Sequence, residues 1–208
     1  MAETASPTSR MPGQDRRRQL IETALDLFAH KGYEGTTTRE IAAAAGVTES
    51  VIFRHFPSKQ ALYMAVLDAK VHSVAAEEWP KEARSCMERN DDAGLIRMIM
   101  AGIVDDYRTD ARIERVKLFA ALEGHEVGLA HYRQFVSPIV QVLTDYFQRR
   151  QDEGALRGYP PAAILAAIAG MAQNYAVLTQ MFGFSCPDLS DEQVIDSFTA
   201  IILSGIKK

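Results

Sequence analysis

The chain has 208 residues, 47% hydrophobic and 24% charged, with a net charge of −4 and a pI near 5.8. That is the composition of an ordinary globular protein of one large or two small domains, and it excludes a uniformly basic nucleic-acid binder. The charge is uneven: residues 1–60 carry eight Lys/Arg against seven Asp/Glu and residues 61–208 fifteen against twenty, so the N-terminal end is the positive one.

Residues 1–13 are polar, lack the apolar core of a signal peptide, and read as a disordered arm. From Gln14 onward the pattern is helical throughout, with short polar breaks and no alternating segments, so an all-α fold is expected. A first helix should run from about Asp15 to Lys31 on the stripe Ile21, Ala24, Leu25 and Phe28, with Gly32 as its stop. Thr37 and Glu40 match a capping box. A short helix, Thr38 to Ala45, should follow, made almost wholly of alanine and Ile41. Gly46 permits a tight turn, Val47 plugs the angle, and Thr48 can cap a second short helix ending near His55. A long helix should start at Ser58 or Lys59 and run to about Trp79, where Pro80 interrupts it. Further helices are expected near 92–108, 110–123, 127–152, 161–182 and 190–206. Pro138 should kink or split the third of these, and Pro160-Pro161 suits the first turn of the fourth.

Two short helices joined by a turn with glycine make the arrangement that sets a recognition helix in the DNA major groove. The same residues also read as an alanine-rich pair of core helices. On the second helix, Val47, Ile52 and Phe56 can face the first two helices, which leaves Thr48, Glu49, Ser50, Val51, Phe53 and Arg54 to face DNA.

The run QLIETALDLFAHKGYEGTTTREIAAAAGVTESVIFRHFPSKQALYMAVL, ending at Leu67, resembles the DNA-binding domain of the tetracycline-repressor (TetR) family. The resemblance rests on Ala24, Phe28, Gly32, Tyr33, Thr37, Ile41, Ala42, Ala45, Gly46, Val47, Phe56, Lys59 and Leu62, in order and without a gap. It implies a head at 14–60 followed by a helical ligand-binding and dimerisation domain at 61–208. Thr37, with Thr38 beside it, would bond a phosphate, and Arg39 would reach a phosphate or a guanine edge. Thr48, Glu49 and Ser50 would open the base-reading helix, and His55 and Lys59 would grip the backbone. Ser50 stands where the family often has Gly, Phe53 replaces the usual Tyr, and Glu49 brings a negative charge toward DNA. Arg16, Arg17 and Arg18 read either as a DNA-contacting arm or as a solvated helix start.

By the same resemblance the last two helices would pair with those of a second copy. Ala162, Ala163, Ala166, Ala167 and Gly170 would allow close approach, and Val194, Ile195, Phe198, Ile201 and Ile202 would add apolar surface. The middle helices would enclose a small-molecule pocket, with Met98, Met100, Tyr107, Phe119, His125, Tyr132, Phe135, Asn174, Tyr175, Met181 and Phe182 as candidate lining. The partners expected are a palindromic double-stranded operator, a second copy and an effector whose binding releases the DNA, with repression as the family's usual habit. No cofactor and no metal are expected. An enzymatic reading would use Glu123, His125, Glu126 and His131, but the two histidines face different sides of a helix and HExxH is absent. A helical interaction protein with a degenerate head is the other alternative. Cys86 and Cys186 lie far apart without metal-ligand spacing and read as reduced thiols of a cytoplasmic protein. No apolar run comes near the roughly 20 residues that cross a bilayer, so no membrane partner is expected.

Overall fold

Local chemistry sets the first three helices. Helix α1 (Gly13–Lys31) buries Leu20, Ile21, Ala24, Leu25, Phe28 and Ala29, a stripe at helical spacing. It stops at Gly32, whose φ of 72° disfavours any side chain. Helix α2 (Thr38–Ala44) begins at the expected capping box: Glu40 N donates to Thr37 Oγ1 at 3.2 Å and Thr37 N donates to Glu40 Oε2 at 2.9 Å. Gly46, at φ 66°, turns the chain into helix α3 (Glu49–His55). Thr48 holds the N-cap position but makes no side-chain cap bond; its hydroxyl pairs with Ser50 Oγ at 2.8 Å instead.

The computed structural model describes residues 13–74, 79–184 and 188–208, without the side chains of 70–74, 79, 80, 132 and 135. The expected arm at 1–13 thus lies outside the described residues except for Gly13, which already belongs to α1. Helix α4 spans Lys59–Val74 and helix α5 Trp79–Glu88. The sequence reading had no helix α5, because Pro80 looked like a stop. It occupies the second position of the new helix, where a missing N–H costs nothing.

Helix α6 (Asp92–Leu122) joins two expected helices across a kink at Asp110 (φ −159°, ψ 89°), where the break had been expected. Helix α7 (Glu126–Asp152) carries Pro138 inside it without being split. Helix α8 (Pro161–Ala176) continues as a π-helical turn, Val177–Met181, and helix α9 spans Asp191–Ile206. The described residues hold no strand, only one isolated antiparallel bridge between Leu156 and Lys207.

Two apolar cores form among the described residues. The first gathers α1–α3 with Leu62, Tyr63, Val66 and Leu67 of α4 and Val116 of α6. The expected boundary at residue 60 therefore runs through this core. The second core packs α6 against α7, α8 and α9 around Leu95, Ile96, Met100, Phe147, Ile168 and Ile195. Each fully buried side chain of this size contributes about 1.5–3 kcal/mol of transfer free energy.

Pro161–Met181 corrects one expectation: the helix has 21 residues, a stretch of 18 within it has a mean hydropathy of 1.4, and by length and composition it could cross a membrane. Its alanines lift the average, yet Ile164, Ile168, Ala172, Tyr175 and Ala176 are packed in the second core. A core helix meets the same test. Cys86 is a free, buried thiol, and Cys186 lies outside the described residues.

One ion pair fastens the far end of the body. Asp92 is 4% exposed and accepts from Tyr146 Oη at 2.6 Å and from Arg150 at 2.9 and 3.1 Å. Burial alone raises its pKa, but the bonds from Arg150 and Tyr146 outweigh burial and hold the carboxyl below its usual value. A depressed carboxyl stabilises the fold above its unfolded pKa, about 3.9, and loses that contribution as pH falls through the folded value. Arg150→Leu strands the charge and should cost about 3–5 kcal/mol in urea unfolding at pH 7. The difference from wild type should shrink on acidification as Asp92 takes up a proton. A gap that widens toward low pH would contradict this account.

Candidate nucleic-acid interface

The recognition helix is small and turned outward. Ile52 and Phe56 are buried in the head while Thr48, Ser50, Phe53 and Arg54 are exposed, and Val47, Glu49, Val51 and His55 are half-buried. Phe53 keeps 48% of its surface in water, unusual for a large apolar side chain and suited to a sugar or a thymine methyl. Arg39 on α2 and Arg54 on α3 make no ion pair with any described residue. Both forks are free to bond an acceptor from outside.

Other expected contact residues are partly engaged within the head. Thr38 Oγ1 donates to Glu49 Oε1 at 2.5 Å, which ties α2 to α3 and occupies one oxygen of the acidic residue that opens α3. Thr37 Oγ1 donates to Glu40 Oε2 at 2.9 Å, and the same carboxylate accepts from Lys31 at 2.7 Å. Those bonds, Lys31 first and Thr37 next, lower the Glu40 pKa to about 2. The Thr37 hydroxyl is therefore already bonded to Glu40, where a phosphate bond was expected.

Lys59 departs furthest from expectation. Its ammonium donates to Tyr33 O at 2.7 Å and Thr36 O at 2.9 Å and lies 4.0 Å from the centre of the Tyr33 ring. Two of its three donors tie α4 to the corner between α1 and α2, which leaves one to reach a phosphate. The basic cluster is helical, not a free arm. Arg17 sits 5.0 Å over Phe56, Arg18 pairs with Asp15 at 2.6 Å, and Arg16 bonds Gln19 at 2.5 Å.

The head meets the body along α6 and the start of α7. Tyr33 N donates to Glu123 Oε2 at 3.1 Å, and Arg115 Nε donates to Ala29 O at 2.9 Å. Arg112 reaches Glu22 at 3.1 Å, Asp26 at 2.6 Å and Asp110 at 2.7 Å. None of these body partners has a sequence signal, because each stands 86–90 residues from the head group it bonds.

His125, expected in a pocket, sits at this joint: its ring centre is 4.0 Å from that of Tyr33, and its Nδ1 accepts from Gly128 N at 3.2 Å. His131 bonds Asp68 at 2.8 Å, so the histidine and glutamate cluster of the enzymatic reading is dispersed. No group of three or more metal-binding side chains occurs among the described residues.

A cavity of ≈ 180 Å³ opens beside the joint, lined by Tyr63, Leu67, Glu114, Lys117, Leu118, Ala120, Ala121, Gly128, Leu129 and Gln173. None of the expected pocket residues with a described side chain is among these. Tyr107 is buried next to it, its hydroxyl accepting from Gln173 Nε2 at 3.3 Å. Phe119 packs near Gly32, Met98 lines an open groove with Arg97 and Gly102, and Asn174 is exposed. Tyr175 donates to Asp191 at 2.5 Å and Met100 is in the second core, while Phe182 is exposed and Met181 half-buried. The side chains of Tyr132 and Phe135 lie outside the description.

A compact helix-turn-helix head with an outward recognition helix, carried on a larger helical body, defines a transcriptional regulator. The model of the bacterial regulatory proteins of the tetR family matches residues 20–66. The uncharacterized HTH-type transcriptional regulator YvkB of Bacillus subtilis is 24% identical over 190 residues, covering 91% of this chain and 96% of that protein. The HTH-type transcriptional repressor AcnR of Corynebacterium glutamicum is 27% identical over 149 residues, 72% of this chain and 73% of that one. The crystal structure of AibR in complex with isovaleryl coenzyme A and operator DNA superposes with a TM-score of 0.64 at 22% identity, over 89% of this chain and 97% of that chain. The helix-turn-helix head at residues 20–66 is thus that of the tetR family of bacterial regulatory proteins, and the chain as a whole is similar to transcriptional regulators.

The internal bonds of Lys59 carry a measurable consequence. Lys59→Met should lower unfolding free energy by about 1–3 kcal/mol, since two charge-assisted bonds to carbonyls are lost. Urea denaturation without DNA checks this. A residue acting on phosphate alone would leave that curve unmoved.

Proposed function

We propose that the protein is a dimeric repressor that binds a palindromic operator and leaves it when a small molecule enters the cavity beside Tyr63. The observation that carries the reading is the exposed Thr48–Ser50 end of α3, flanked by Arg39 and Arg54, whose charges no described residue neutralises. A guanidinium fork bonds O6 and N7 of one guanine together, and that geometry specifies a base. Thr37, Thr38, Val51, Phe53, His55 and Lys59 surround this end as groove or backbone contacts, with Glu49 available to cytosine N4 through its second oxygen.

Two heads must be held about one DNA turn apart, roughly 34–36 Å. Helix α8 offers the surface for this: Ala162, Ala163, Ala166, Ala167 and Gly170 are exposed on it, and Ile201 on α9 is 57% exposed. Small side chains let a second copy approach closely, and exposed apolar ones supply the drive to associate. The AibR complex, which holds both a small molecule and operator DNA, supports a linked pair of sites in this chain. Linkage is reciprocal: an effector that weakens DNA binding must itself be weakened by DNA in the same ratio.

Selection of binding sites from random duplexes should return a palindrome. Arg39→Ala and Arg54→Ala should each weaken the selected site by about 5- to 150-fold, at constant salt, if the lost bond is to a base. Ala166→Glu should convert the solution mass from two chains to one and abolish palindrome binding. A selection that enriches nothing would sink the operator reading, and a wild-type mass of one chain would sink the dimer.

A further inference from the structure

Tyr63 touches both halves of the molecule. Its ring centre lies 5.1 Å from that of Phe28, 5.0 Å from Tyr33 and 5.0 Å from His125, each edge-on. The residue is 1% exposed, and its hydroxyl is buried with no hydrogen-bond partner among the described residues. Tyr63 lines the cavity, with its hydroxyl buried just behind that wall, so a ligand reaches it only as the ring shifts. A methyl group on Gly128, itself a lining residue, would lie 3.0 Å from that hydroxyl and 2.9 Å from the Ala120 side chain. A phenol buried without an acceptor is costly, and an acceptor brought in by a ligand removes that cost.

The other walls say what kind of molecule brings it. Leu67, Leu118, Ala120, Ala121 and Leu129 are apolar. Glu114 is buried and paired with Lys117 at 2.5 Å, so this pair is neutral as it stands. The nearby Asp106 carboxyl is pushed up to about 6, first by burial and then by the charge of Glu114, which shows how poorly charge is solvated here. A charged ligand would have to shed its water among mostly apolar walls, where the Lys117 ammonium and the Glu114 carboxylate already satisfy each other. The Gln173 amide is engaged with Tyr107. At ≈ 180 Å³ the cavity slightly exceeds the roughly 150 Å³ that admits a benzene ring.

We infer that the effector is a compact, uncharged, largely apolar carbonyl compound whose oxygen accepts a hydrogen bond from Tyr63, and that Tyr63 passes the resulting displacement to the Tyr33 corner of the DNA-reading head. This rests on the cavity being the effector site. The route is short: Tyr63 packs on Tyr33, whose N–H is held by Glu123 and whose carbonyl is held by Lys59. A shift of the Tyr63 ring presses directly on the tie between α1, α2 and α4.

Three ring compounds of nearly equal size test the inference on the full chain. Acetophenone carries the carbonyl, α-methylstyrene puts a methylene in place of the oxygen, and benzoate is an anion. By calorimetry acetophenone should bind at least about fivefold more tightly than α-methylstyrene, with benzoate weakest. Tyr63→Phe should erase the preference for acetophenone and leave α-methylstyrene within about twofold. The wild-type comparison needs no variant, so it stands even if Tyr63→Phe fails to fold. With the selected operator present, acetophenone should release wild-type protein and fail to release saturated Tyr63→Phe. Equal affinity for the first two compounds, a preference kept by Tyr63→Phe, benzoate as the tightest ligand, or an undiminished release in the variant each overturns the inference. Binding of none of the three overturns it as well and makes a buried water the partner of the hydroxyl. Operator selection needs no ligand, so a failed selection with intact acetophenone binding would count against the regulator reading and not against this one.

Discussion

The head is held at a fixed angle by what gathers around one residue, Tyr33. Its N–H is bonded by a carboxylate of the body, its carbonyl by an ammonium at the start of α4, and its ring lies against Tyr63 and His125. The reading helix has seven residues and few contacts of its own, so its aim is inherited from this corner. The glycine next door explains how the body comes so close. A side chain at Gly32 would collide with the Glu123 carboxylate, and the turn there already needs a positive φ.

The same corner shows why Lys59 serves structure and function together. Charge-assisted bonds to two backbone carbonyls fix where α4 leaves the head. Motion of α4 relative to the body is therefore motion of the whole reading unit. In a two-state regulator, an effector acts only by preferring one arrangement over the other. The packing around Tyr63 gives such a preference a physical address.

Much of the head was legible in the sequence because its signals are local. Thr37 and Glu40 stand at capping-box spacing, Gly46 stands where a left-handed residue is needed, and Ile52 and Phe56 alternate with exposed positions at helical period. The kink at Asp110 was legible for the same reason. Helix α5 was missed because Pro80 was read as an end when it lies in a beginning. The cavity was not legible at all. Other aromatic and methionine side chains were expected around a pocket, yet Tyr175 is tied to Asp191, Met100 lies in the core, and the described walls of this cavity come from α4, α6, α7 and α8 together. Which side chains surround a void depends on contacts between helices far apart in the chain. Spacing within one helix does not carry that information.

Arg112 gives the molecule a sensitivity of another sort. A single guanidinium, one-third exposed, bridges two carboxylates of α1 to the kink in α6. Exposed ion pairs weaken as electrolyte is added. Phosphate contacts weaken as well, and for the same electrostatic reason. The brine around this protein therefore acts in two places, once on the attraction to the duplex and once on the fastening that keeps the reading unit aligned. A plot of affinity against ionic strength would fold a stiffness of the protein into what looks like a count of neutralised phosphates.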